Sequence, residues 1–318
     1  MESASHKEQP IRVSVVMNCL DCSKYLREAI DSVYAQTYED WEIIFWDNAS
    51  ADDSNIIAKS YDGKLRYFRS DETVPLGRAR NYAIEQARGD YIAFLDCDDK
   101  WLPEKLEKQV AVFDRRPDID FVYTNYYRIV MPKVDRLILG LSGNKPEGSV
   151  FERFLCHYPV NMQTVMLRKA VLEKLDDVFD EKLNLSEEYD LFMRILYNSK
   201  AFYLQEPLVI YRVHPAMSSV RYMSNYPNEN TYILEKLKKM YPLMESEYSS
   251  AIKYANAKIG YWRAKAAMEQ GNSKEARRHL IPYKFTSFKF FMLYLMAYFP
   301  GLWEKSHIYK EEGILRFS

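Results

Sequence analysis

Apolar and polar positions alternate between two periods over the first 125 residues. Val13-Ser14-Val15-Val16-Met17 is a short run of β-forming residues and reads as a buried strand. Ser23 then opens a segment in which Leu26, Ala29, Ile30 and Val33 recur at helical spacing, one face of an amphipathic helix. The alternation repeats. Trp41 to Trp46 reads as a second strand, Asp53 to Ser60 as a short helix and Leu65 to Phe68 as a third strand. A helix is expected from about Leu76 to Arg88, stopped by Gly89, followed by a fourth strand over Tyr91 to Leu95. Pro103 suits the first turn of another helix, which runs to about Phe113.

Strands alternating with helices of this length predict an α/β fold, a mostly parallel, Rossmann-like sheet with helices on both faces. Such sheets bind ligands beyond the carboxyl ends of their strands, where the strand order reverses. The polar residues collect there. Asn18 and Asp21 follow the first strand, Asp47 and Asn48 the second, and Asp96, Asp98 and Asp99 the fourth. Three strand ends are therefore expected to converge on one acidic site.

Beyond residue 125 the pattern loosens into short elements, with a Gly- and Pro-bearing loop from Gly140 to Gly148. A composition shift near residue 225 divides the chain into residues 1–225 and a charged, helical C-terminal region, 226–318. In that region Tyr261 to Asn272 and Glu275 to Arg277 look like one helix-turn-helix unit, too little for an array. The apolar run Phe290 to Phe299 is ten residues long, half of what crosses a bilayer. Arg277, Arg278, Lys284 and Lys289 before it, with Tyr294, Tyr298 and Trp303, suit a segment resting on an anionic membrane surface. A buried helix or a homodimer contact would use the same residues.

Composition narrows the partners. The 44 basic and 45 acidic residues nearly cancel, so no global field draws in nucleic acid, and an anionic ligand must be met by local groups or a metal. The 26 tyrosines suit contact with sugars or membrane interfaces. MESASHKEQPIR holds no apolar stretch of signal-peptide length, which predicts a cytoplasmic protein, peripheral at most on the cytoplasmic face of a membrane. Cys19, Cys22, Cys97 and Cys156 are too few and too irregular for a disulfide framework, and Cys19-x-x-Cys22 lacks the second pair of a zinc site. They read as reduced thiols.

The first glycine of the chain is Gly63, so no glycine-rich phosphate loop can follow the first strand. That disfavours a nucleotidyltransferase and assigns phosphate binding to a metal. Asp96-Cys97-Asp98, two carboxylates two residues apart at a strand end, can hold Mg²⁺ or Mn²⁺ against a diphosphate. The competing reading is a solvated acidic turn in which Asp98 or Asp99 caps the next helix.

Val13 to Met17, Asp47-Asn48-Ala49-Ser50-Ala51-Asp52, Leu76-Gly77-Arg78-Ala79-Arg80-Asn81 and Leu95-Asp96-Cys97-Asp98-Asp99 resemble, in order, the motifs of glycosyltransferase family 2. The resemblance covers roughly Val13 to His214 and implies the GT-A fold of inverting, nucleotide-sugar-dependent glycosyltransferases. It implies that Asp47 contacts the nucleotide base and that Arg80 helps hold the nucleotide. Asp96 and Asp98 match the D-x-D motif, with Asp96 near the ribose and Asp98 on a Mg²⁺ or Mn²⁺ that bridges the diphosphate. Asp99 is a nearby support toward the sugar, and Asn18 is a further candidate contact. His214, after Tyr211-Arg212-Val213, matches a family histidine that approaches the metal or the diphosphate.

Sugar transfer with inversion also needs a base for the acceptor hydroxyl. Ser186-Glu187-Glu188-Tyr189-Asp190 resembles the family's acidic pair heading a helix, whose second acid, usually Asp, is the base. Here that position is Glu188, one methylene longer. Glu188 shares a face with Leu191, Phe192 and Ile195, whereas Asp190 and Glu187 face Arg194 across an expected surface ion pair. Asp190 is the reserve base. The implied activity is transfer of a sugar from a nucleoside-diphosphate-sugar, a UDP-sugar favoured, to a glycan or lipid-linked acceptor in bacterial surface polysaccharide assembly. The alternative is a sugar-nucleotide-binding module without turnover.

Overall fold

The computed structural model describes residues 11–131, 136–215 and 217–311, except the side chains of Ser218 and of 306–311. The polar run before Ile11, which carried the expectation about compartment, lies outside these residues.

The described strands are β1 (Val13–Cys19), β2 (Trp41–Asp47), β3 (Leu65–Arg69), β4 (Tyr91–Phe94), β5 (Lys100–Trp101), β6 (Phe121–Val130), β7 (Ile138–Leu139), β8 (Met166–Arg168) and β9 (Ala201–Val213). They form one sheet in the order β3-β2-β1-β4-β8-β6-β9-β5, with β7 on β6. The helices up to residue 182 are α1 (Ser23–Tyr34), α2 (Ser54–Lys59), α3 (Leu76–Glu85), α4 (Lys105–Arg115), α5 (Phe151–Cys156) and α6 (Lys169–Leu172). After them come α7 (Glu187–Asn198), α8 (Ser218–Arg221), α9 (Tyr226–Met240), α10 (Met244–Glu247), α11 (Ser249–Glu269), α12 (Ser273–Leu280), α13 (Phe288–Met296) and α14 (Pro300–Glu311).

The chain forms two compact units. One takes the residues up to Ser149, Val160–Lys182 and Ile195–Pro215; the other takes Val150–Pro159, Leu183–Arg194 and the chain after Pro215. The units do not follow the expected division at residue 225: the second takes the chain from just after Pro215 and also includes Val150–Pro159 and Leu183–Arg194.

In the first unit the four expected strands form, and β1 pairs in parallel with both β2 and β4, β2 with β3. β1, β2 and β4 are largely buried because both faces of a parallel sheet are covered, which explains runs such as Val13 to Met17 with no polar alternation beyond Ser14, whereas β3 at the sheet edge is buried only at Leu65. Leu26, Ala29, Ile30 and Val33 of α1 are fully buried, as their spacing requires. Gly89 closes the α3–β4 turn where a Cβ would stand 2.6 Å from the Ser14 backbone nitrogen, so only glycine lets the turn approach β1. The order β3-β2-β1-β4 reverses direction at β1, and this switch point faces the ends of β1, β2 and β4. The antiparallel partners β8 and β5 and the long parallel pair β6–β9 complete the sheet, with bulges beside Asn125.

In the second unit α11 and α12 make the expected helix-turn-helix. Gly271 takes φ +73° to end α11, and the Asn272 side chain accepts the Glu275 amide to begin α12. Ala257, Ala264, Ala276, Leu280, Phe290, Leu293 and Trp303 form its core. No described helix is long and apolar enough to cross a membrane.

Candidate active site

The acidic residues of the first unit divide by exposure. Asp96 and Asp98 keep 40% and 34% of their side-chain surface open, whereas Asp99 is buried. Asp99 is not a helix cap: β5 intervenes before α4, which begins without a side-chain cap. Its carboxylate accepts the backbone N–H of Arg212 in β9 at 2.7 Å. Burial, reinforced by the charges of Asp98 and Asp96, pushes the Asp99 carboxyl well above the usual carboxylate range. The support toward the sugar implied for Asp99 is therefore replaced by an internal tie between the D-x-D turn and β9.

Arg212 completes that tie. Its guanidinium donates to the Asp98 carbonyl at 2.6 Å and to Glu28 of α1 at 2.5 Å, and it lies 4.7 Å from the Tyr25 ring centre. Sequence reasoning quoted Arg212 and gave it no role. The usable signal was alternation, because residues 212 and 214 leave a strand on the same side. His214, two residues on, lies with Nε2 2.9 Å from Asp98 Oδ2. Two chain positions 116 residues apart are thus within hydrogen-bond distance of each other.

Arg80 is also drawn in. It is buried on α3, donates to Asp96 Oδ1 at 3.4 Å and lies 5.4 Å from the Phe179 ring centre, so it is no surface helix residue. Asn18, the last residue but one of β1, has its Nδ2 buried and without a hydrogen-bond partner among the described residues, while its carbonyl accepts the Cys97 thiol at 3.2 Å.

Asp47 departs from its expected role. Its side chain is fully buried; Oδ1 accepts the Ser50 amide at 2.7 Å, and Oδ2 accepts Tyr67 O–H at 2.6 Å and Arg69 Nη1 at 2.5 Å. Burial alone would raise its pKa. The hydrogen bonds from Tyr67 and Ser50 and the charge of Arg69 outweigh it and hold the carboxyl below its ordinary range. With both oxygens engaged, Asp47 offers no open carboxylate to a base. It fixes the following loop, where Ala49 has φ +62°, and it aims Arg69, whose side chain is 39% exposed.

The cysteines correct the expectation of reduced thiols. Cys19 and Cys22 form a disulfide across a turn in which Asp21 has φ +53°. The Cys97 sulfur joins them, all three within 4.8 Å of one another, the one group of such compactness among the described residues, although the two disulfide sulfurs carry no thiolate to bind a metal. Among the described residues Asp96, Asp98 and His214 do not close to that compactness, while Asp98 and His214 lie 2.9 Å apart. That pair fits an ion. Hard divalent cations hold ligands about 2.1 Å away at right angles, which puts neighbouring donors about 3 Å apart.

The base candidates lie in the second unit, at the head of α7. Glu229 of α9 accepts the backbone amides of Asn184, Leu185 and Ser186 at 2.9 to 3.0 Å, and Asn230 donates to the Ser186 hydroxyl. The approach to α7 is thus fixed by residues more than 40 positions away, which sequence reasoning had no means to pair. Asp190 is fully buried, and its Oδ2 accepts from Arg194 Nε and Lys236 Nζ, each at 2.9 Å. The expected surface ion pair is a buried one, because Lys236 and α9 cover that side. Asp190 is therefore a structural anion and a poor reserve base. Glu187 is buried as well, and Glu188 is the half-buried member of the trio. The charge of Glu188, after burial itself, raises the pKa of the enclosed Tyr158 hydroxyl, which marks the two groups as neighbours.

Comparison with known proteins supplies an independent reading. The family model described as Glycosyl transferase family 2 matches residues 14–174, about half of the 318. An uncharacterized glycosyltransferase of Rickettsia typhi is 32% identical over 65% of this chain and 65% of its own, so the chain spans slightly less than two thirds of that relative. The UDP-Glc:alpha-D-GlcNAc-diphosphoundecaprenol beta-1,3-glucosyltransferase WfaP of Escherichia coli is 30% identical over 64% of this chain and 77% of its own. Staphylococcus aureus TarS, solved with UDP-GlcNAc, superposes with a TM-score of 0.62 at 18% identity over 92% of this chain and 88% of its own. The mannosyltransferase PcManGT of Pyrobaculum calidifontis, solved with GDP-Man and Mn²⁺, reaches 0.55 at 16% identity over the same two shares. At such identities the structures establish the fold alone, and it is the fold that the ordered motifs implied.

Proposed function

The chain belongs to glycosyl transferase family 2, and from that premise we propose that it transfers a sugar, with inversion, from a nucleoside-diphosphate-sugar to a hydroxyl of a glycan. The observation that carries this reading is the Asp98–His214 pair, held at the sheet's switch point by Arg212 beside the open Asp96. A diphosphate needs positive charge, and no glycine loop is present after β1 to supply backbone amides. A Mg²⁺ or Mn²⁺ held by Asp98 and His214 would supply it, the imidazole favouring the transition ion. Asp96, with Arg80 behind it, is assigned to the ribose, and Asn18 and Arg69 to the nucleotide.

Glu188 takes the proton of the acceptor hydroxyl while that oxygen bonds to the anomeric carbon. The bond from that carbon to the diphosphate oxygen breaks on the opposite face, its electron pair leaving with the nucleoside diphosphate. Residues 1–225 are assigned to catalysis and 226–318 to a helical region that carries a membrane-associating segment. The acceptor is assigned to lipid-linked glycans of bacterial surface polysaccharide at the cytoplasmic face of a membrane, and the donor to a UDP-sugar. The similarity to WfaP, a glucosyltransferase with a UDP-glucose donor and a diphosphoundecaprenol-linked acceptor, supports both, and the UDP-GlcNAc complex of TarS supports the donor.

Calorimetric titration with UDP, GDP and dTDP, with and without Mn²⁺, tests the donor half. One nucleotide should bind tightly and lose that binding with EDTA. Glu188→Gln should keep donor affinity and lower nucleoside diphosphate release by on the order of 10²–10⁴-fold. A wild-type protein that binds donor and never releases nucleoside diphosphate is a binding module, and release of pyrophosphate instead makes it a nucleotidyltransferase.

A further inference from the structure

The run Phe290 to Phe299 is neither wholly buried nor wholly exposed. In α13 and the turn after it, Phe290, Leu293 and Ala297 are 2%, 6% and 0% exposed and pack into the second unit's core. Phe288, Met292, Leu295 and Phe299, spaced four, three and four apart, form the other stripe and are 77%, 38%, 38% and 63% exposed. Phe285 (77% exposed) and Leu302 (53%) widen that stripe at its two ends. A stripe this long of large apolar side chains left in water is a contact surface.

Its surroundings choose the partner. Residues 274–305 contain Lys274, Arg277, Arg278, Lys284, Lys289 and Lys305 against Glu275, which pairs with Arg278, and Glu304, in a chain whose net charge is −1. Lys284 lies 4.9 Å from the Phe285 ring centre and Arg277 lies 4.4 Å from that of Tyr298. Cations beside the rings that border an apolar stripe reproduce the polarity profile of a bilayer interface, with acyl chains under the phenyl groups and anionic headgroups against the bases. We propose that this face of α13 and its flanking turns docks on an anionic lipid bilayer. The surface would serve the membrane-borne acceptor of the preceding reading; its existence follows from the exposed stripe and the excess of bases.

The full-length protein is sedimented with vesicles of phosphatidylcholine alone or mixed with phosphatidylglycerol. Binding is expected to the mixed vesicles and to fall at least tenfold with Phe288→Ser plus Phe299→Ser. Lys284→Glu plus Lys289→Glu, which leaves the buried face of α13 unchanged, should reduce binding severalfold, and raised salt should reproduce that loss. Wild-type protein that ignores mixed vesicles, or charge variants that bind them as wild type does, overturns the proposal. So does a wild-type dimer in light scattering that the Phe288→Ser plus Phe299→Ser variant converts to monomer, because the stripe then belongs to a second copy. Nucleotide titration without vesicles is run on every variant. It shows that the variants fold, and its failure in wild type would count against the transferase reading and leave the lipid result standing.

Discussion

Two acidic clusters, Asp96 to Asp99 in the first unit and Glu187 to Asp190 in the second, look alike as strings and differ as structures. In the first, two of the three aspartates remain partly open, and the nitrogen nearest Asp98 belongs to a histidine, a group that can share a cation with it. In the second, Asp190 already has its cations, Arg194 and Lys236, and no exposure at all. Asp96 meets one buried cation, Arg80, at 3.4 Å and keeps an exposed face, whereas Asp190 meets two cations and keeps none. Exposure and partner type separate binding acids from structural ones where sequence spacing does not.

Substitutions can break this contrast. The largest expected effect is that of Asp190→Ala, which leaves the buried Arg194 without its anion and should remove about 3–5 kcal/mol of stability. Urea denaturation followed by circular dichroism measures it; a loss below 1 kcal/mol would mean that Asp190 does not hold the fold. Asp98→Ala should do the reverse, with stability nearly unchanged and turnover lowered on the order of 10²–10³-fold. The same variant should erase the Mn²⁺ dependence of nucleotide binding in calorimetry.

A smaller effect sharpens the comparison through Asp47, a structural acid in the first unit. Its folded pKa lies below the unfolded value, so its stabilisation is complete above about pH 4 and is lost as pH falls through the folded value. Tyr67→Phe removes the hydrogen bond at 2.6 Å and part of that gap. The variant should be about 0.5–1.5 kcal/mol less stable at neutral pH, a deficit that shrinks in acid, read from melting temperatures between pH 3 and pH 7.

The first half of the fold was legible because its elements announce themselves locally. Each strand from Val13 to Leu95 is a short apolar run, and each helix between them carries a stripe at helical spacing. The second half, with its mixed pairing, was not. β9 runs thirteen residues through Pro207, a residue that normally demotes a strand, and its bulged pairing with β6 accommodates the break. The candidate site was legible wherever a residue follows a strand. What escaped notice depended on distance along the chain: Arg212 on Asp98 and Asp99, Lys236 on Asp190, Glu229 at the entry to α7, and Cys97 beside Cys19 and Cys22. Charge and burial at those points are set by tertiary neighbours, which no local period encodes.

The Arg212 tie also bears on how such chains can be recombined. The turn that carries Asp96 and Asp98 is held by a strand more than 110 residues later, through both the backbone and the side chain of one arginine. A chimera that joins the first 120 residues of this chain to the remainder of a relative would inherit the acidic motif without its own clamp. Crossover points that respect this tie and keep the Asp98–His214 contact lie beyond His214, so the part that carries Asp96 and Asp98 is transferable only as an uninterrupted block from β1 through His214.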